Sequence, residues 1–221
     1  MYSLGSYDRG DWVMGLSDLD LYLIIKDSAY VNGKLRPELK KRLDSINEKI
    51  REDFPLVEFR CKYESESKVR EHIVESFITG QDSRFLYGRN ILEEIPSPSL
   101  KDLKEYGRKM VVLLCNHWIK TEEQRRTPQN LKDQSDGMQY MILKLAQNGL
   151  FAKGILKFKK KDIVKTFLET YPDFTYNELI EEAFEVRRYW NTEKIDESRL
   201  RRFVNNSKIF PEPFRDYITA Q

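Results

Sequence analysis

Apolar and polar positions follow two different rhythms along this chain, and the change falls near residues 93–100. Before it, alternating runs are mixed with helical ones. Leu19–Ile25 alternates and then becomes continuously apolar, as a buried strand does. The run LVEFRCKY, residues 56–63, alternates throughout. It sets Val57, Phe59, Cys61 and Tyr63 on one face and Glu58, Arg60 and Lys62 on the other. Between these runs, Leu39, Leu43, Ile46 and Ile50 are spaced to form one apolar stripe, which predicts a helix over residues 36–54 with Pro37 in its first turn. ESKVREHIVESFITG predicts a further helix ending at Gly80, and SRFLYGRNIL a short strand and turn.

EEIPSPSLKD, with prolines at 96 and 98, reads as a linker or sharp turn, and Ser99 is placed to cap the next helix. Beyond it the pattern is helical throughout. One stripe is Leu103, Met110, Val111, Leu114 and Trp118, and another is Met138, Met141, Ile142 and Leu145. Ile163, Val164 and Phe167 make a third, Leu179, Ile180, Ala183 and Val186 a fourth, and a short helix is expected near 197–204. The expected fold class is α+β. A domain over residues 1–95, a small mixed sheet with helices, precedes an α-helical bundle over residues 96–221.

Composition narrows this picture only moderately. Hydrophobic residues make up 40% and charged residues 33%, a globular balance. No apolar run approaches the roughly 18 residues of a membrane span, and the start lacks a signal-peptide pattern, so a cytoplasmic protein without a membrane partner is expected. The 38 basic and 36 acidic residues nearly cancel, so any anion site must be local. Cys61 and Cys115 sit in apolar surroundings without paired zinc spacing, and read as buried thiols.

The chemistry is concentrated near the start, in LGSYDRGDWVMGLSDLDLYLII. Asp18 and Asp20 are two apart on a predicted strand, so their side chains project from one face. Neighbouring carboxylates raise one another's pKa unless a cation lies between them, and Mg²⁺ suits such oxygen donors. The Gly5–Ser6 turn lies just upstream. Glycine lets backbone N–H groups approach a phosphate, and the serine hydroxyl adds a donor. Taken singly, an Asp-x-Asp pair is most often a solvated face and a Gly-Ser pair means little. The combination selects more sharply: apolar Leu4, Gly5-Ser6, eleven intervening residues, then Asp18-Leu19-Asp20-Leu21 entering a strand.

That combination resembles the nucleotidyltransferase superfamily typified by DNA polymerase beta. The resemblance implies a Gly5–Ser6 turn that holds a nucleotide's terminal phosphates and a pair, Asp18 and Asp20, that binds two Mg²⁺ ions. It also implies a third acid on a later strand, for which Glu58 is the match, as metal ligand or general base. The other reading of Glu58 is an exposed carboxylate paired with Arg60 or Lys62. The layout is similar to the streptomycin and spectinomycin adenylyltransferases, in which a bundle lysine reaches the triphosphate. Lys161 is the best match, with Lys157, Lys159 and Lys160 competing, and a solvated basic helix start is the alternative. Arg187, or Tyr189, falls near a further phosphate-approaching position. One departure stands out: only residues 1–4 precede the turn, where the family places a helix and a full strand.

The implied activity moves a nucleoside monophosphate, AMP from ATP first, to a hydroxyl acceptor with pyrophosphate release. A small aminoglycoside-like acceptor is favoured over RNA or protein, and a non-catalytic nucleotide-binding or antitoxin-like module is the reading from a different class. Elsewhere, His72 and His117 form no metal pattern. Arg125-Arg126 reads as a basic loop, Tyr87-Gly88 as a turn, and Trp118 and Trp190 as core.

Overall fold

Three residues, Tyr2–Leu4 (β1), carry the first half of the fold, because both edges of this short strand are paired. The structure is a computed structural model that describes residues 1–14, 16–54, 58–123, 130–190 and 192–221. After β1 come a single helical turn, Ser6–Arg9 (α1), and the seven-residue strand Leu19–Ile25 (β2). A hairpin follows, Tyr30–Val31 (β3) and Lys34–Leu35 (β4), then the helix Pro37–Asp53 (α2) and the strand Phe59–Ser65 (β5). Two short helices, Glu66–Glu71 (α3) and Ile73–Gln81 (α4), lead to Ser83–Phe85 (β6). The sheet order is β5-β2-β1-β6, with β1 antiparallel to both neighbours and β2 parallel to β5. The sheet is therefore mixed. The short β1 lies in the middle of the sheet.

One sheet face builds a core. Tyr2 and Tyr22 pack with Val69, Ile91, Leu92 and Ile95, flanked by Leu4, Ile24 and Phe77. The Tyr2 hydroxyl accepts from the Leu92 N–H (3.0 Å) and donates to Asn90 Oδ1 (3.1 Å). The other face is thinly covered. α2 begins at Pro37 as predicted, but none of its residues is fully buried. Leu39, Leu43 and Ile50 are half-buried, whereas Ile46 is 54% exposed and Asn47 turns inward in its place.

The helix expected to end at Gly80 is two helices. It breaks at His72, whose ψ of 59° leaves the helical region, and it continues to Gln81, where the Asp82 N–H bonds back to Ile78 and Thr79. Gly80 needs no special conformation, so it does not terminate the helix. Cys115 is a buried free thiol, and Cys61 is free and only half-buried.

Contacts divide the chain into two units, Met1–Pro98 and Ser99–Gln221. The second holds Leu100–Glu123 (α5), Leu131–Ala152 (α6), Lys160–Thr170 (α7), Asn177–Arg188 (α8), Glu197–Ser207 (α9) and Pro211–Thr219 (α10). Ser99 caps α5, its hydroxyl accepting from the Asp102 N–H at 3.1 Å. α6 is the central helix, packed by α5, α7, α8 and α9, and every residue from Leu145 to Ala152 is buried. A ring cluster of Phe167, Tyr171, Phe174, Phe210 and Phe214 fills the space beside it. Trp118 and Trp190 are buried here, as expected of core residues. Arg125 and Arg126 lie outside the described residues. Among the described residues, no helix is long and apolar enough to cross a membrane.

Candidate active site

Sheet register decides which of the marked side chains meet. Leu4 pairs with Asp20 across β1 and β2, and Asp20 pairs with Arg60 across β2 and β5. Just before the paired segment, the Leu19 N–H donates to the Glu58 carbonyl at 2.8 Å. Asp18, Asp20, Glu58 and Arg60 therefore share one face at the start of the parallel pair, since side chains two apart on a strand project together. The Gly5–Ser6 turn closes onto them.

Gly5 is needed there for two reasons. Its φ of 85° and ψ of −157° fall in a region open essentially to glycine alone. A Cβ at this position would also lie 3.0 Å from Asp20 Oδ2. The turn thus rests directly on the carboxylate. Ser6 follows, 8% exposed, and its hydroxyl has no hydrogen-bond partner among the described residues.

Arg60 joins the acids. Its Nη1 lies 2.9 Å from Asp18 Oδ2, and its Nη2 and Nε lie 2.8 and 3.0 Å from Glu58 Oε1. Burial pushes the Asp18 carboxyl up to about 6. Arg60 opposes that rise, while the negative charges of Glu58 and Asp20 add to it. Burial also raises Asp20, against the pull of Arg60 and Arg9. Glu58 moves the other way, lowered chiefly by its hydrogen bond from Arg60. Glu58 thus stands on the acid face and is paired with Arg60, the partner its alternative reading named.

A second charged group supports the turn. Arg9 grips both oxygens of Asp82 at 2.9 and 2.8 Å and contacts Asp11 at 3.3 Å. Asp8 accepts from the Ser3 hydroxyl and lies 3.1 Å from Arg84 Nε. Sequence reading missed Arg60 and Arg9 as site residues. The alternation of residues 56–63 already placed Arg60 beside Glu58, and its register with Asp20 was the missing step.

The remaining two candidates lie in the other unit. Lys161 is exposed in the first turn of α7, and the buried lysine of that turn is Lys160 at 7% exposure. Arg187, in the last turn of α8, is likewise 7% exposed. Periodicity explains the lysines: Lys160, Ile163, Val164 and Phe167 follow one helix face, and Lys161 is a step of about 100° away from it.

The donor set suits Mg²⁺ in kind. Asp18, Asp20 and Glu58 offer only hard carboxylate oxygens, and the Asp18 carboxyl, raised chiefly by burial and further by the charges of Glu58 and Asp20, is one whose ionised form a cation would favour. Among the described residues no three acid, histidine or cysteine side chains are gathered into a formed metal cage, and Arg60 stands among the acids as their counter-charge. No family model, curated protein or solved structure matches this chain.

Proposed function

We propose that the chain is a nucleotidyltransferase that moves a nucleoside monophosphate, AMP from ATP first, to a hydroxyl on a small-molecule acceptor. The observation that carries this reading is the Gly5 turn resting on the Asp20 carboxylate, with Asp18 and Glu58 at the same end of the sheet. Asp18 and Asp20, with Glu58, would hold Mg²⁺, which when bound neutralises phosphate charge and polarises the phosphorus–oxygen bonds. The protein's share of such a transfer is mainly positioning and charge compensation.

The Gly5–Ser6 turn presents N–H groups and the Ser6 hydroxyl to the β- and γ-phosphates. The acceptor oxygen attacks the α-phosphorus, the bond to the pyrophosphate oxygen breaks, and the hydroxyl proton passes to a carboxylate. Glu58 is a weak base while Arg60 holds it ionised. It becomes a better one when Arg60 turns from it toward the phosphates, a switch that the side chain's 60% exposure permits. Lys161 is carried from the family likeness as a further phosphate contact, and Arg187 with it.

The Arg60 bridge favours one second reading, a nucleotide-binding module that does not turn over. The two separate on incubation with labelled NTPs, Mg²⁺ and pooled sugars, RNA or protein. Transfer with pyrophosphate release to the sugar pool is the expected result. Asp20→Asn should lower it by about 100-fold or more. Saturable ATP binding without pyrophosphate release, in wild type and Arg60→Gln alike, would establish the module instead.

A further inference from the structure

The far end of the same strand pair carries a feature unrelated to the carboxylates. A cavity of about 830 Å³ is lined by the β3–β4 hairpin, the start of α2 and the end of β5, a volume in the range of small-molecule sites. Its wall carries Lys34, Arg36, Lys40 and Lys68. None of the three lysines has a carboxylate partner among the described residues. The one acid in the wall, Glu64, already accepts from the Tyr22 hydroxyl at 3.2 Å. Four cations against one carboxylate leave the wall with a cationic surplus.

Two rings complete the wall, Tyr30 and Tyr63. Neither stacks on another aromatic ring among the described residues. The Tyr30 hydroxyl is buried and has no hydrogen-bond partner among the described residues. Such a group is destabilising unless something satisfies it. The hairpin itself is rigidly specified. Asn32 (φ 50°) and Gly33 (φ 72°) both adopt the left-handed conformation of a two-residue type I′ turn.

We propose that this cavity binds a nucleoside phosphate, with the phosphate among Lys34, Arg36, Lys40 and Lys68 and the base against Tyr30 and Tyr63. Cations supply the phosphate contacts, and a tyrosine face supplies sequence-tolerant stacking. The site is separate from the carboxylates. The cavity takes the last residues of β5, Asp18 and Glu58 precede the strands, and six steps of about 3.3 Å put roughly 20 Å between them. The inference does not rest on the nucleotidyl-transfer reading.

The test is calorimetric titration of the full chain in EDTA with AMP, adenosine and ribose 5-phosphate. AMP should bind saturably at one site per chain without divalent metal. Adenosine and ribose 5-phosphate should each bind at least about tenfold more weakly, since each lacks half of the recognition. The double variant Lys34→Glu/Lys68→Glu, both at exposed positions, should weaken AMP at least tenfold while keeping the wild-type circular dichroism. Tyr30→Phe keeps the ring and removes the unpaired hydroxyl; it should weaken AMP about threefold while leaving the free protein as stable or more stable. Asp20→Asn should leave AMP affinity unchanged. Absent AMP binding, equal affinity in the charge-reversed variant, or equal affinity for ribose 5-phosphate overturns the proposal. Loss of binding in Asp20→Asn does so too, by moving the nucleotide to the carboxylates.

Discussion

Gly5 concentrates two demands on one position, a backbone conformation that alanine rarely adopts and contact with Asp20 Oδ2. Gly5→Ala should therefore cost about 1–3 kcal/mol in urea unfolding, and should also displace the Asp20 carboxylate. A variant as stable as wild type would show that the turn does not bear on Asp20. Asp18 makes a prediction of its own. Its folded pKa of about 6 lies above its ordinary 3.8, so the folded state holds the proton more tightly. That contribution to stability is complete below about pH 4 and disappears as pH rises through about 6. Asp18→Asn should melt at a higher temperature than wild type at pH 7.5 and at the same temperature near pH 4. Mg²⁺ should stabilise wild type at pH 7.5 and have little effect near pH 4 or on the variant; parallel melting profiles would refute the burial of this charge. The aspartates were legible in the sequence because a polar pair inside an apolar strand is conspicuous. Arg60 was not, because a basic residue beside an acid on an alternating strand reads as ordinary solvated surface until register places it opposite Asp20.

Elements differ in how plainly their residues announce them. Long periodic stretches such as α2, α5 and α6 were readable because one face must stay apolar over several turns. The break between α3 and α4 was not, since His72 carries no propensity strong enough to mark it and the Ser76 hydroxyl bond to the Val69 carbonyl (2.7 Å) is a local packing choice. The hairpin is marked in the sequence by Asn32-Gly33, the pair whose positive φ angles its turn requires. β1 shows how a short strand is secured from outside itself: Tyr2 is 1% exposed and tied to Leu92 and Asn90. Tyr2→Phe keeps the ring but leaves the Leu92 N–H without its acceptor, and should cost about 1–3 kcal/mol by urea unfolding. Gly107 in α5 sets two effects against each other. Helix propensity alone favours alanine by about 1 kcal/mol. A Cβ there would lie 2.3 Å from the Ala152 N and 2.6 Å from the Phe151 carbonyl carbon, backbone atoms that cannot step aside. Packing should win, and Gly107→Ala should destabilise by about 1–3 kcal/mol; a gain in stability would mean that α5 and α6 are less closely opposed than this.

At the scale of the whole molecule, the two units are unequal in what they bury. In Ser99–Gln221, α6 is enclosed by four helices, and Phe167, Phe203, Phe210 and Phe214 are completely inaccessible. Each ring removes a large apolar area from water, and together they make up much of this unit's core. In Met1–Pro98, one sheet face is well packed, but the other leaves Leu21, Leu23, Ile25, Cys61 and Tyr63 half-exposed beneath an α2 with no fully buried residue. The candidate chemistry thus belongs to the unit with the thinner cover, and the larger set of fully buried rings belongs to the other. The expected consequence is an asymmetry on dissection. A chain of residues 99–221 expressed alone should give a strongly helical circular dichroism spectrum and a single cooperative melt. Residues 1–98 alone should melt at a lower temperature and with a shallower transition, because fewer of their apolar side chains are fully buried to offset the conformational entropy of ordering them. Non-cooperative melting of residues 99–221 would show that their core depends on the rest of the chain. A sharp, high-temperature melt of residues 1–98 would show that the thin cover of α2 is enough.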